Sequence, residues 1–289
     1  MAIDKYRALW VSHTSMSDFL ACPRSYFLRH MYRDPGTRHK IKLMSPYLAL
    51  GQAVHEVLES LSVIPKNTRF LEPIMDRYET AWSKVSGKRG GFFDRDTEYQ
   101  FENRGRAMIR RVLENPGPVG EAAVKIKEDL PYFWLSEEEG IILCGKIDWL
   151  EYLPEEDAVH IIDFKTGKND ENPDSLQFPI YHLLVHSCQK RMVRKVSYWY
   201  LDRDDAPVER PLPSLEEARN HVMDIARQIK LARQLDRLKC TKGGCQFCLP
   251  LEKVITGQAE LVGVDDFGYD MYVLPTQESQ AISQESVIL

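Results

Sequence analysis

In SPYLALGQAVHEVLESL, apolar residues fall at 48, 50, 54, 57, 58 and 61, close to the helical period, and predict an amphipathic helix. That helix carries His55 and Glu59 four apart on one face. TSMSDFLACPRSYFLRHMY predicts two short helical turns hinged at Pro23, since proline suits a first turn. Residues 66–115 predict a largely helical stretch with a glycine-rich break at 87–91, and NPGPVG (115–120) ends it. The pattern then changes. AAVKIKEDLPYFWL, GIILCGKIDWLEYL and AVHIIDFKTG are rich in β-branched and aromatic residues and predict strands with turns between them. A helix follows in DSLQFPIYHLLVHSCQ and a strand in VRKVSYWYLD. A long amphipathic helix then runs through PSLEEARNHVMDIARQIKLARQLDRLK, opened by a Ser214/Glu217 capping box. ELVGVDDFGYDMYVLP predicts a terminal hairpin, and residues 276–289 a disordered tail. This order predicts an α/β domain with a mixed central β-sheet flanked by helices.

Composition narrows the function. The 289 residues predict one large domain or one domain with additions. A net charge of −5 means that nucleic-acid binding needs local basic patches rather than bulk charge. Such patches exist: arginines 104, 106, 110 and 111, residues 190–195 and 38–42, and Arg24 with Arg29. No run of eighteen apolar residues predicts a membrane span, and MAIDKYRALW lacks the layout of a secretory signal. Six cysteines without such a signal point to a reducing, cytoplasmic setting, where clustered thiols bind metal more often than they pair.

The chemistry gathers around IIDFKTGK (161–168). PEED (154–157) reads as a four-residue hairpin loop. If Leu153 pairs with Ala158, the ladder carried inward sets Asp148 directly opposite Asp163, their Cβ atoms about 5 Å apart. Lys165 shares the face of Asp163 because side chains repeat every two residues. Two facing carboxylates repel, and a hard divalent cation such as magnesium would offset that repulsion. The lysine could then orient or deprotonate an attacking water, as metal-assisted phosphodiester hydrolysis requires. On spacing alone, a solvated strand on which Asp163 and Lys165 pair fits better, because D-x-K is a weak pattern.

GKIDWLEYL…HIIDFKTGK, followed by LQFPIYHLL and preceded by LGQAVHEVLE and SMSDFLACPRSYF, resembles the PD-(D/E)XK nuclease superfamily and its RecB-like branch over about residues 12–250. The resemblance implies a restriction-endonuclease-like core with a helical N-terminal part (12–115) and a catalytic core (120–205). A C-terminal helix and cysteine cluster (214–250) and a terminal hairpin (258–275) complete one nuclease domain over 1–275. It implies that His55, Asp148 and Asp163 ligate Mg2+ or Mn2+, helped by the carbonyl of Phe164. Lys165 would position water and stabilise the charged transition state; Gln177 and Tyr181 would orient the lysine or the nucleic acid. Ile147 stands where the superfamily's name has proline. Pro179 is tolerable only near a helix start, which places that start close to Ser175.

The cysteines extend the resemblance. KCTKGGCQFC holds Cys240, Cys245 and Cys248 within nine residues, one ligand short of a closed four-coordinate site. In CRISPR-associated RecB-like exonucleases and AddB-type nucleases the missing ligand is an N-terminal cysteine, here Cys22, and the four hold a [4Fe-4S] cluster. In those families the extra cysteine commonly follows the C-x-x-C pair, whereas here Cys240 precedes it, so zinc is the alternative occupant. Cys144, expected on the catalytic strand, and Cys188 read as small buried apolar residues. The resemblance thus implies a Mg/Mn-dependent deoxyribonuclease of single-stranded DNA or DNA ends, in repair or recombination, phage DNA processing or CRISPR adaptation, with proteins of those pathways as partners. The rivals are an inert DNA-binding or scaffold module and an iron–sulfur redox sensor.

Overall fold

A computed structural model describes residues 4–275; the tail 276–289 lies outside the described residues. In chain order the elements are β1 (Leu9–Val11), α1 (His13–Ala21), α2 (Pro23–Tyr26), β2 (Lys40–Leu43), α3 (Pro46–Leu61), α4 (Ile74–Ser83), α5 (Arg95–Glu114), β3 (Tyr132–Ser136), β4 (Ile141–Cys144) and β5 (Trp149–Leu153). There follow β6 (Ala158–Lys165), α6 (Gln177–Cys188), β7 (Met192–Tyr200), β8 (Val208–Arg210), α7 (Leu215–Gln234), α8 (Leu249–Ile255), β9 (Glu260–Val264) and β10 (Tyr269–Val273). The mixed α/β class expected from the sequence is the one observed. Of the described residues, 4–13, 54–78 and 106–230 form one compact unit, and 14–53, 79–105 and 231–275 form a second.

The first unit is built on a four-stranded mixed sheet in the order β5-β6-β7-β8. β5 and β6 form the expected hairpin: Leu153 pairs with Ala158, and the register runs without slip to Trp149 opposite Ile162. The loop turns through Asp157 at φ 43°, a left-handed conformation that aspartate tolerates, and its carboxylate accepts from Tyr152 Oη at 3.1 Å. β6 is buried along its whole length and runs parallel to β7. A parallel pair needs a crossover, and α6 supplies it. This helix is buried from Gln177 to Val185 apart from Pro179. It begins at Gln177, two residues later than expected, which sets Pro179 at its third position, where the missing N–H has no intrahelical partner to lose.

Three expectations need correction. GIILCGKIDWLEYL is two strands, not one: β4 joins β1 and β3 in a separate three-stranded sheet, and β5 joins β6. The chain changes sheet at Gly145, where a Cβ would stand 2.9 Å from Leu184 Cδ1, so any other residue would require that leucine side chain to shift. Cys144 therefore ends β4 and is not on the strand that leads to the acidic residues. Residues 66–73 are turns rather than helix. Pro65 and Pro73 interrupt the pattern, and buried Arg69 fixes the turns by donating to the carbonyls of Leu61 (3.0 Å), Ile64 (3.0 Å), Glu121 (2.6 Å) and Val119. The long C-terminal helix stops at Gln234, and Asp236 follows at φ 52°.

The second unit contains the expected hairpin, β9 with β10. β10 also pairs in parallel with β2, which the sequence reading treated only as a basic run. Buried Asp270 secures that pairing by accepting from Thr37 Oγ1 at 2.5 Å and meeting His39 Nδ1 at 2.8 Å. Leu28, Ile41, Leu251 and Val254 pack as its core.

Candidate active site and thiolate cluster

β6 ends by exposing two functional side chains to one face, Asp163 and Lys165, with Phe164 turned to the other and packed on Trp149 and Trp199. Asp148 is not a ladder residue opposite Asp163, as the extrapolated register required. It sits in the bend just before Trp149, and its Oδ2 accepts the N–H of Phe164 at 3.0 Å. Lys165 turns its carbonyl toward β7, where Leu201 N–H reaches it at 2.9 Å; Phe164 N–H points the opposite way, and its carbonyl shares that side.

From α3, His55 Nδ1 comes within 3.3 Å of Asp148 Oδ2. Glu59, one turn on, completes a set: ligand atoms of His55, Glu59 and Asp148 all lie within 4.8 Å of one another. Glu59 was visible in the sequence as the i+4 neighbour of His55 but was not assigned a role. It also pairs with Lys146. Asp163 is not one of that close trio, although its charge acts on His55.

α6 closes the other side. Gln177 bridges the pair on β6: its Nε2 donates to Asp163 Oδ1 at 2.5 Å and to Tyr181 Oη at 3.2 Å, and its Oε1 accepts from Lys165 Nζ at 2.6 Å. Glu171, in the loop between β6 and α6, meets Lys165 Nζ at 2.7 Å. No periodicity marks that loop, so nothing in the residue pattern singles out Glu171. The lysine ammonium also lies 4.9 Å from the centre of the Tyr198 ring.

The electrostatics are unbalanced. Burial pulls His55 down, but the charges of Asp148, Asp163 and Glu59 overcome it and hold the imidazole up at about 9. Burial pushes Asp148 up, yet His55, the Phe164 N–H and Lys165 leave it below the usual carboxylate range. Burial likewise pushes Asp163 up; Lys165 opposes, the Asp148 charge adds, and the result is about 7. Burial works against the Lys165 ammonium, but Asp163 and Glu171 more than compensate, so it stays charged. Asp163 Oδ2 is buried with no hydrogen-bond donor; the Lys165 ammonium is 3.1 Å away but not aligned to donate. A carboxylate oxygen in that condition, beside oxygen and imidazole donors, fits a hard divalent cation.

In the second unit Cys22, at the α1–α2 junction, meets the three C-terminal cysteines. The Sγ atoms of Cys22, Cys240, Cys245 and Cys248 all lie within 4.8 Å of one another, so the four expected to act together do come together.

The basic runs are largely engaged within the chain. Arg24 pairs with Glu252, Arg29 with Asp18, Arg111 with Asp205, Arg191 with Asp157 and Arg194 with Glu156. Among the described residues no helix is long and apolar enough to cross a membrane.

The sequence matches the family profile described as the PD-(D/E)XK nuclease superfamily over residues 10–249. No curated protein matches it.

Proposed function

The chain belongs to the PD-(D/E)XK nuclease superfamily, whose members use divalent metals, and from that premise we propose that it is a magnesium- or manganese-dependent deoxyribonuclease of the RecB-like branch. We read residues 1–275 as one nuclease domain acting as an exonuclease on single-stranded DNA or DNA ends. Repair or recombination, phage DNA processing and CRISPR adaptation are the settings such an enzyme serves, with proteins of those pathways as its partners. The observation that carries the reading is the buried Asp163, raised in pKa and with one oxygen left without a donor, next to a lysine held as an ammonium.

In this reading His55, Asp148 and Asp163 would hold the cation, joined by Glu59, whose carboxylate lies within 4.8 Å of the His55 and Asp148 ligand atoms, and by the Phe164 carbonyl. When bound, the cation polarises the scissile phosphate and neutralises the charge that develops on it. The rest falls to the chain's own groups. Lys165, fully protonated, orients the attacking water and stabilises the negative charge of the transition state; it does not serve as the base. Gln177 fixes the distance between Lys165 and Asp163 by bonding both, and Tyr181 fixes Gln177. Glu171 holds the ammonium from the loop side.

The test is manganese-dependent digestion of end-labelled linear oligonucleotides, single-stranded and duplex, beside a closed single-stranded circle. Wild type is expected to shorten the linear strands and spare the circle, and Asp163→Ala to leave all three intact. Equal behaviour of the two proteins overturns the enzyme reading, and rapid cutting of the circle overturns the exonuclease part alone.

A further inference from the structure

We infer that Cys22, Cys240, Cys245 and Cys248 bind one tetrahedral zinc ion rather than the four-iron cluster that the RecB-like resemblance implies. The inference concerns the second unit alone and stands apart from the nuclease reading. It rests on how close the sulfurs are. With zinc–sulfur bonds of about 2.3 Å, four thiolates at the corners of a tetrahedron stand about 3.8 Å apart. In an iron–sulfur cube each thiolate holds its own iron, so a full metal–metal edge is added to every spacing, which becomes roughly 6 Å. Here all four Sγ atoms fall within 4.8 Å, and Cys245 Sγ is 3.7 Å from Cys248 Sγ. The set is closed around a space for one ion and has no room for eight additional iron and sulfide atoms.

The backbone supports that scale. The N–H of Cys248 donates to the Cys245 carbonyl at 3.1 Å, and the N–H of Cys245 points back to Cys248 Sγ at 3.3 Å, a tight turn that presents both sulfurs to one point. Cys240 reaches the same point because the chain reverses through Gly243 at φ 68° and Gly244 at φ 143°, conformations that favour glycine. A Cβ on Gly244 would also press on Leu249 Cδ2 at 3.1 Å. Cys240 thus comes from upstream of the pair, on a short loop, whereas in the iron–sulfur families that the sequence resembles the extra cysteine commonly follows the pair. Four thiolates on a divalent ion leave two negative charges, and the Arg24 guanidinium, two residues past Cys22, is within electrostatic reach of Cys22 and Cys248. Cys22 and Cys248 are buried, and all four positions are protein ligands, the arrangement of a structural ion with no open site.

The experiment is metal and sulfide analysis of the full chain produced without oxygen in cells supplied with both iron and zinc. One zinc per chain, no acid-labile sulfide and no visible absorption are expected. Mercurial titration of the thiols should then release that zinc as the four cysteines react, and Cys245→Ser should abolish its retention. Iron and sulfide at about four each per chain overturn the inference, as does a chain that retains no metal. Should Cys245→Ser fail to fold, the mercurial titration on the wild-type chain decides the matter alone. Nuclease activity is not read, so failure here leaves the acidic site untouched.

Discussion

The acidic site and the thiolate site make opposite use of burial. The four cysteines are brought together by a short glycine turn and one distant partner, and the zinc ion proposed above would satisfy all of them. The acidic site is assembled from α3, the β5–β6 hairpin and α6, and its own side chains leave it unsatisfied: a carboxylate forced toward neutrality, an oxygen with no donor, an imidazole kept charged by its neighbours. Where every group finds its partner, the protein gains stability; where a group is held without one, it keeps a place for something that arrives later.

The largest effect that would test this contrast is Asp163→Asn. The amide retains a partner for Gln177 but removes the buried charge. Turnover should fall by two to three orders of magnitude or more, on the order seen when one electrostatic catalytic group is lost, while the melting temperature of the metal-free protein holds or rises. Cys245→Ser should do the reverse kind of harm and lower the melting temperature outright. If Asp163→Asn melts far below wild type, the acid is a structural group and the contrast fails.

The acidic site was legible in the sequence where it follows local rules. Alternation put Asp163 and Lys165 on one face, and the PEED loop fixed the register from Leu153 to Trp149. The register then misled at Asp148, because the ladder stops one residue short of it and a side chain, not the backbone, makes the last contact. Glu59 was in view on the His55 face, but nothing local sets a ligand apart from a solvated glutamate. Glu171 lies in an aperiodic loop, and only the folded chain brings it to Lys165. The same limit hid β2: four residues of mixed polarity become a strand because β10 arrives from more than two hundred residues away. Gly145 looked like part of one apolar run and is in fact the point where the chain changes sheet.

A smaller effect concerns pH. His55 and Asp163 both have raised values in the folded, metal-free chain, so both favour folding while protonated. The His55 contribution is complete below about 6.5 and is lost as pH rises through about 9; the Asp163 contribution is complete below about 3.8 and is lost through about 7. Metal ligands must shed those protons. The rise in melting temperature produced by saturating manganese should therefore grow steadily from roughly pH 6 to pH 9. Scanning fluorimetry across that range checks it, and a flat response would mean that these two groups do not face the ion.

The mildest effect should come from Glu171→Gln. It removes one anchor of Lys165 but leaves Gln177 and Asp163 in place. A fall of about tenfold in single-turnover rate at saturating DNA, with affinity for DNA unchanged, would mark a residue that positions the lysine. A change confined to affinity would place Glu171 on the substrate path instead.

The pairing of β2 with β10 has a consequence for how the protein is made. β2 leaves the ribosome early, and its partner is completed only at Val273. Throughout elongation the early strand, lysines alternating with isoleucine and leucine, waits with a bare edge, and Cys22 waits as a lone thiol. The second unit can close only once the chain has been made through Val273, so a chain cut short near residue 230 carries every acidic-site residue yet lacks the strand and three cysteines that finish its other half.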